Sequence, residues 1–206
     1  MGINPAPTKA NLIKARSSLE FSKKGFELLD KKRTILIREM MSLINKAKEI
    51  QNKISIKFED AYEGLQHVNI AMGINNVEEI AISIMKEAEH DVILRSVMGV
   101  EIPKVKYTEN KLETQYGFFR SNPPLDIAVI KFREIKYLIY QLAEIENSVY
   151  KLALEIKKTQ KRTNGLEKIL IPKYKEQIKL ISDTLEEKER EDFFRLKKVK
   201  KITSKT

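Results

Sequence analysis

From Leu12 onward, apolar residues recur every three or four positions. The row reads Leu12, Ala15, Leu19, Ser22, Phe26, Leu29, Arg33, Leu36, Met40, Leu43, Ala47, Ile50, Ile54, Lys57, Ala61, Gly64 and Val68, and thirteen of these seventeen are apolar. Such spacing keeps one stripe on one helix face for about eight heptads, the pattern of a coiled-coil seam. Helices of compact domains rarely exceed ~25 residues, so a stripe this long needs a partner helix to cover it. A second row supplies one: Ile135, Leu138, Leu142, Ile145, Val149, Leu152, Ile156, Thr159, Thr163, Leu166 and Leu170 step by threes and fours. From Leu166 the steps become four, four and four, through Leu170 and Tyr174 to Ile178, before Ile181 and Leu185. Extra four-residue steps locally unwind a left-handed supercoil, and Pro172 lies in the same stretch, so a bend or straightened segment is expected there.

Punctuation sets the boundaries. Proline occurs only as Pro5, Pro7, Pro103, Pro123, Pro124 and Pro172, and proline breaks helix interiors. Thr8 is a candidate N-cap, and Asn122-Pro123 is a strong helix start, Asn as cap and Pro at the first helical position. Between the helices the texture changes: Gly73, Asn75, Asn76, Gly99, Pro103 and Gly117 fall among β-branched residues. Val92, Leu94, Val100, Ile102 and Val105 read as a small hairpin turning near Gly99, with Pro103 on an edge. Residues 77–85 read as a short helix and 108–121 as a loop.

The expected fold is therefore mainly α. A long antiparallel two-helix coiled coil joins residues 1–71 and 123–206, with residues 72–122 inserted at the turn-around end. At ~1.5 Å per residue, the pair would run roughly 95–110 Å. The principal seam residues are Leu12, Leu19, Phe26, Leu29, Leu36, Leu43, Ile50 and Ile54 on one helix. On the other they are Leu142, Val149, Ile156, Leu166, Ile178 and Leu185. Arg33 interrupts the seam and reads either as a snorkelling side chain paired to a carboxylate or as a register-setting contact. Gly25 and Gly165 inside helices mark either close helix approach or simple tolerance at ~1 kcal/mol each.

Composition narrows the class. The 206 residues contain no cysteine and no tryptophan, so disulfides and cysteine zinc sites are out. The start, Met-Gly-Ile-Asn-Pro, has no apolar signal core, which points to a reducing cytoplasm. The uncharged stretch 65–77 contains Gln66, His67, Asn69, Asn75 and Asn76, too short and polar to span a bilayer.

The net charge of +10 is concentrated at the two ends. Residues 1–33 carry eight Lys/Arg against three acids, and residues 193–206 carry six and no acid. In an antiparallel pair both basic ends meet at one tip. They read as a solvated face, a phosphate-binding surface or a tip seated in a protein socket. Phe193, Phe194 and Leu196 among the charges favour a packed partner.

Catalytic patterns are missing. His67 and His90 stand 23 residues apart without companions, a poor metal pair. No phosphate loop and no nucleophile elbow is present. The acids Glu186, Glu187, Glu189, Glu191 and Asp192 spread around a helix. No catalytic residue, metal or cofactor is expected.

Several runs carry a family resemblance. Pro7-Thr8-Lys9-x-Asn11-Leu12 and Lys24-Gly25-Phe26-x-Leu28-Leu29-x-Lys31-x-Arg33 open the chain. Val97-Met98-Gly99-Val100-x-Ile102-Pro103 and Arg162-Thr163-Asn164-Gly165-Leu166-Glu167-x-x-x-Ile171-Pro172 follow. Leu185-Glu186-Glu187-x-Glu189-Arg190-Glu191-x-Phe193-Phe194-Arg195-Leu196-Lys197-x-Val199-Lys200 closes it. In this order they resemble the D subunit of the V-type and archaeal A-type ATPases, with Gly165 where relatives often have alanine.

The resemblance implies a non-catalytic rotor shaft, peripheral on the cytoplasmic face of the membrane, with no membrane insertion. It implies partners in the catalytic A and B subunits, the small F subunit of the rotor and the C/d adaptor of the membrane ring. Torque would pass between ATP hydrolysis or synthesis and proton or sodium translocation. Lys9, Lys14, Arg16, Lys23, Arg190, Phe193, Phe194, Arg195, Lys197 and Lys198 would then line the tip inside the A/B hexamer, and the hairpin would modulate turnover or dock rotor parts. The competing readings are a basic coiled-coil adaptor for nucleic acid, which the family reading does not expect, and a generic scaffold.

Overall fold

The computed structural model describes residues 6–84, 91–106, 116–117 and 121–203. The elements run α1 (Lys9–Met72), α2 (Ile74–Ser83), β1 (Asp91–Val97), β2 (Val100–Lys106), α3 (Pro123–Gly165), a π turn (Leu166–Leu170) and α4 (Ile171–Thr203). The chain divides into two compact units, residues 1–35 with 156–206 and residues 36–155. Helices α1 and α3 contribute to both. Met85, His90, Lys205 and most of the expected loop 108–121 lie outside the described residues.

Local chemistry starts α1 and α3 where the sequence signals it. Thr8 Oγ1 accepts from the Asn11 amide at 3.3 Å, and Asn11 Nδ2 donates back to the Ala6 carbonyl at 2.8 Å. Two otherwise orphaned groups at the start of α1 are thereby satisfied. At the start of α3 the Leu125 amide bonds the Asn122 carbonyl at 2.9 Å, with Pro123 as the first helical residue. Pro123 loses nothing there, since the first helical N–H has no intrahelical acceptor.

In the first unit, α1 runs antiparallel to the π turn and α4. Lys9 meets Glu189, while Gly25 lies opposite Leu166, where an added Cβ would sit 3.9 Å from Leu166 Cδ1. Its core is Ala15, Ser22, Thr159, Thr163 and Ile181, all buried, with Leu12, Leu19, Phe26, Leu29, Ile156, Leu166, Ile178 and Leu185 half-buried around them. Three of those five buried residues are polar. Ser22 and Thr163 satisfy their hydroxyls on the Ser18 and Thr159 carbonyls, at 2.7 and 2.9 Å. Arg33 snorkels: it bonds Asp30 at 2.6 Å one turn back and stays partly exposed, so it pairs locally. An added Cβ at Gly165 would meet nothing within 4 Å, and the one at Gly25 would make only ordinary contact. Neither glycine marks a close approach.

In the second unit, α1 and α3 are again antiparallel. Gln51 bonds Glu146 at 3.4 Å, Lys57 pairs with Glu134, and Lys131 Nζ donates to the Asp60 carbonyl at 3.0 Å. Tyr62 packs edge-to-face on Phe132, centroids 5.8 Å apart. Leu36, Ile54, Ala61, Val68, Leu125, Ala128, Ile135 and Leu152 are buried. Leu43, Ile50, Leu142 and Val149 are half-buried beside them.

Gly73 ends α1. Its φ of 80° and ψ of 145° are open only to glycine, and its amide still bonds the Asn69 carbonyl at 3.0 Å. That sharp turn lets α2 begin at Ile74, three residues before the expected Val77. Asn75 and Asn76, read as loop punctuation, lie inside α2, and Asn76 Nδ2 caps the Met72 carbonyl at 2.7 Å. Val77 and Ile80, one turn apart, pack on Val68, Leu125 and Ala128 with Met72, Tyr116 and Val129.

The hairpin turns on Met98 and Gly99, both with positive φ (51° and 79°), as a two-residue type I′ turn requires. Pairing runs from Val97↔Val100 to Asp91↔Lys106. Because the pair flanking a two-residue turn exchanges hydrogen bonds, the alternate pair Leu94↔Pro103 does not. Pro103 therefore removes no rung. The same alternation turns the Val105 amide outward, where Glu144 Oε2 of α3 accepts from it at 3.0 Å. Val100 is buried and Ile102 and Val105 half-buried, while Val92 and Leu94 remain exposed. The short helix thus sits at the turn-around, and the hairpin docks about 29 Å further along α3, from Leu125 to Glu144 at ~1.5 Å per residue.

Candidate partner-binding surface

The basic residues singled out in the sequence fall on the first unit, on α1 and α4. Lys9 Nζ binds Glu189 at 2.8 Å, which brings the start of α1 beside the last turns of α4. The hydrogen bond to Glu189 and its charge raise the Lys9 ammonium above its ordinary value. The same contact holds the Glu189 carboxyl below its own. Lys9 is therefore a charge already answered within the chain. Arg195 is answered too, by Glu191 at 3.4 Å and Asp192 at 3.9 Å. Lys14, Arg16, Lys23, Arg190, Lys197 and Lys198 are exposed, and among the described residues they make no ion pair.

Beyond Glu189, α4 is exposed throughout, including its apolar side chains. Phe193, Phe194, Leu196, Val199 and Ile202 each expose between 59% and 68% of their surface. Five large apolar residues within ten, interleaved with lysines on one exposed helix, exceed scattered surface hydrophobicity. Phe193 and Phe194 touch edge-to-face at 6.4 Å. Lys9, Leu12 and Ile13 of α1 and Ser182, Leu185 and Glu186 of α4 border an open groove at the same end.

Sequence reasoning passed over Phe21 and Leu28, exposed by 79% and 68%, and the half-covered Ile35. Their strict seven-residue spacing off the seam was legible as a second apolar row. It also passed over Glu189 as the partner of Lys9, and Glu144 as the hairpin's anchor.

Among the described residues no three His, Cys, Asp or Glu side chains gather as metal ligands. No helix of those residues is long and apolar enough to cross a membrane. The large pKa displacement is at Tyr116. Burial, then its hydrogen bond to Asp126 in the first turn of α3, push the phenol up to about 12. That hydrogen bond locks the segment before α3 onto its first turn.

The family model for the D subunit of ATP synthase matches residues 11–201. The chain belongs to the ATP synthase D-subunit family. It is 45% identical to a V-type ATP synthase D subunit of Thermotoga neapolitana, covering 95% of this chain and 96% of that one. It is 36% identical to an A-type ATP synthase D subunit of Pyrococcus abyssi, over 95% and 93%. A third, the A-type D subunit of a Desulfurococcus species, is 34% identical over 97% and 95%. The helical frame and small hairpin are those expected of a D-subunit sequence.

Proposed function

We propose that this chain is the central-stalk shaft of a V/A-type rotary ATPase or ATP synthase, non-catalytic in itself. It would carry torque between ATP hydrolysis or synthesis in a hexamer of A and B subunits and proton or sodium movement through a membrane ring. The observation that carries this reading is the end of the first unit. There Lys9–Glu189 joins the start of α1 to a stretch of α4 that is basic, apolar and uncovered. An apolar end needs an occupant, and long hydrated cations suit a sliding contact better than a locked one. The F subunit and the C/d ring adaptor would bind elsewhere, with the hairpin of β1 and β2 tuning turnover. The site is peripheral, on the cytoplasmic face of the membrane.

Co-purification with A, B and F subunits tests the reading. A complex that assembles with the full chain, and loses ATP-driven ion transport when α4 is cut after Glu189, supports it. Binding of the free chain to nucleic acid with a steep salt slope, and no assembly with A and B, would favour the adaptor reading instead.

A further inference from the structure

Of the π turn Leu166–Leu170, only Leu166 enters the packing described so far. None of its residues is fully buried; Leu166 is half-buried, and Glu167, Lys168, Ile169 and Leu170 are exposed. Its position matches a counting anomaly. From Thr163 to Leu185 the seam takes six steps over 22 residues, one residue more than three heptads. In a seam of period 3.5, an extra residue rotates everything beyond it by about 100°. The faces on both sides are nonetheless held inward: Thr159 and Thr163 before the turn and Ile181 after it are each at most 2% exposed. The Ile171 amide bonds the Leu166 carbonyl, five residues back, so this one turn takes up the extra residue.

We infer that the π turn is a phase corrector. It absorbs one surplus residue so that the stretch from Ile156 through α4 presents a single continuous seam to α1, and in doing so makes this the segment of the first unit that opens first. Its surroundings suit that role. Gly165 precedes it, Gly25 lies opposite Leu166, and the buried neighbours Ser22, Thr159 and Thr163 are small and polar. Pro172, just beyond, brings no N–H, so a carbonyl of the turn before it has no helical donor. The proline adds to the weakness; the surplus residue creates the turn. The inference stands independently of the rotary reading.

The two causes separate in the full-length chain. Three variants are compared by amide hydrogen exchange and thermal unfolding: Pro172→Ala, Pro172→Ala with Lys168 deleted, and Pro172→Ala with Lys24 deleted. Pro172→Ala alone is expected to leave the amides of residues 167–171 exchanging at least ~10-fold faster than those of 175–182. Deleting Lys168 as well should slow them to the rate of the flanks and hold or raise Tm. Deleting Lys24, in a regular stretch of α1, should lower Tm by about 5 °C or more. If Pro172→Ala alone abolishes the fast exchange, the proline made the turn and the inference fails. It fails equally if deleting Lys168 destabilises the chain as much as deleting Lys24.

Discussion

Helix α4 buries one residue, Ile181, at 1% exposure, while Phe193, about three turns along, is 65% exposed. Alanine at each position should separate what holds the first unit together from what its end is for. Ile181→Ala removes three carbons from a closed site. At ~0.8 kcal/mol per buried carbon, the transfer loss is about 2.4 kcal/mol. The cavity left behind carries the total into the range of about 2–5 kcal/mol seen for large-to-alanine changes in cores. One kcal/mol shifts Tm by about 4–8 °C in a unit of this size, so a fall of at least ~8 °C is expected. Circular dichroism follows the melt, and hydrogen exchange over residues 156–185 localises it. Phe193→Ala touches no core, so its effect should stay within about 0.5 kcal/mol, while assembly with A and B subunits weakens. A Tm for Ile181→Ala within a degree of the parent would refute the seam. A fall for Phe193→Ala as large as that for Ile181→Ala would refute the exposed end.

Gly165→Ala should stabilise by about 0.5–1 kcal/mol, because the backbone there is already helical and the methyl meets nothing, read as a rise in Tm. Gly73→Ala should destabilise by roughly 1–2 kcal/mol through its positive φ and uncouple α2, seen as faster exchange at Val77 and Ile80. Tyr116 gives a pH test. Its folded pKa lies above the ordinary tyrosine value, so its stabilisation is complete below about pH 10 and is lost as pH rises towards 12. Ultraviolet titration of tyrosinate should show a late step that Tyr116→Phe removes; no late step in the parent would refute the lock. Glu189 runs the other way, its carboxyl held low by Lys9, so that attraction is present above the ordinary glutamate pKa and lost in acid. Glu189→Gln should therefore lower the Tm at neutral pH and low salt, with the difference from the parent shrinking in acid and in high salt.

Much of the frame was legible because one periodic signal outweighs local exceptions. Ser22, Arg33, Lys57 and Gly64 interrupt the row, yet each is buried or half-buried where the row puts it. Thr8 and Pro123 mark helix starts because capping needs only neighbouring residues. The hairpin turn followed from Gly99, although the positive φ of Met98 beside it could not be read from a methionine. What sequence missed depends on geometry. Gly73 read as punctuation ahead of a short helix at Val77 and is instead the single residue between α1 and α2. The four-residue steps near Pro172 suggested a bend, and the chain answers with a π turn. At the candidate surface the sequence supplied a list of basic residues by type and position alone. It could not show that Lys9 already has a carboxylate partner, because that pair depends on which helix faces lie together; Glu191 and Asp192, four and three residues before Arg195 on the same helix, were legible as spacing.

The central claim is that the end of α4 turns inside a hexamer, and the chain's lack of cysteine makes a direct test clean. A single Lys197→Cys can be crosslinked by a disulfide to a cysteine placed on the facing catalytic subunit, and ATP hydrolysis followed before and after reduction. A rotating shaft predicts that the crosslink stops turnover and that reductant restores it. Hydrolysis that continues at its full rate with the crosslink in place would contradict the shaft reading.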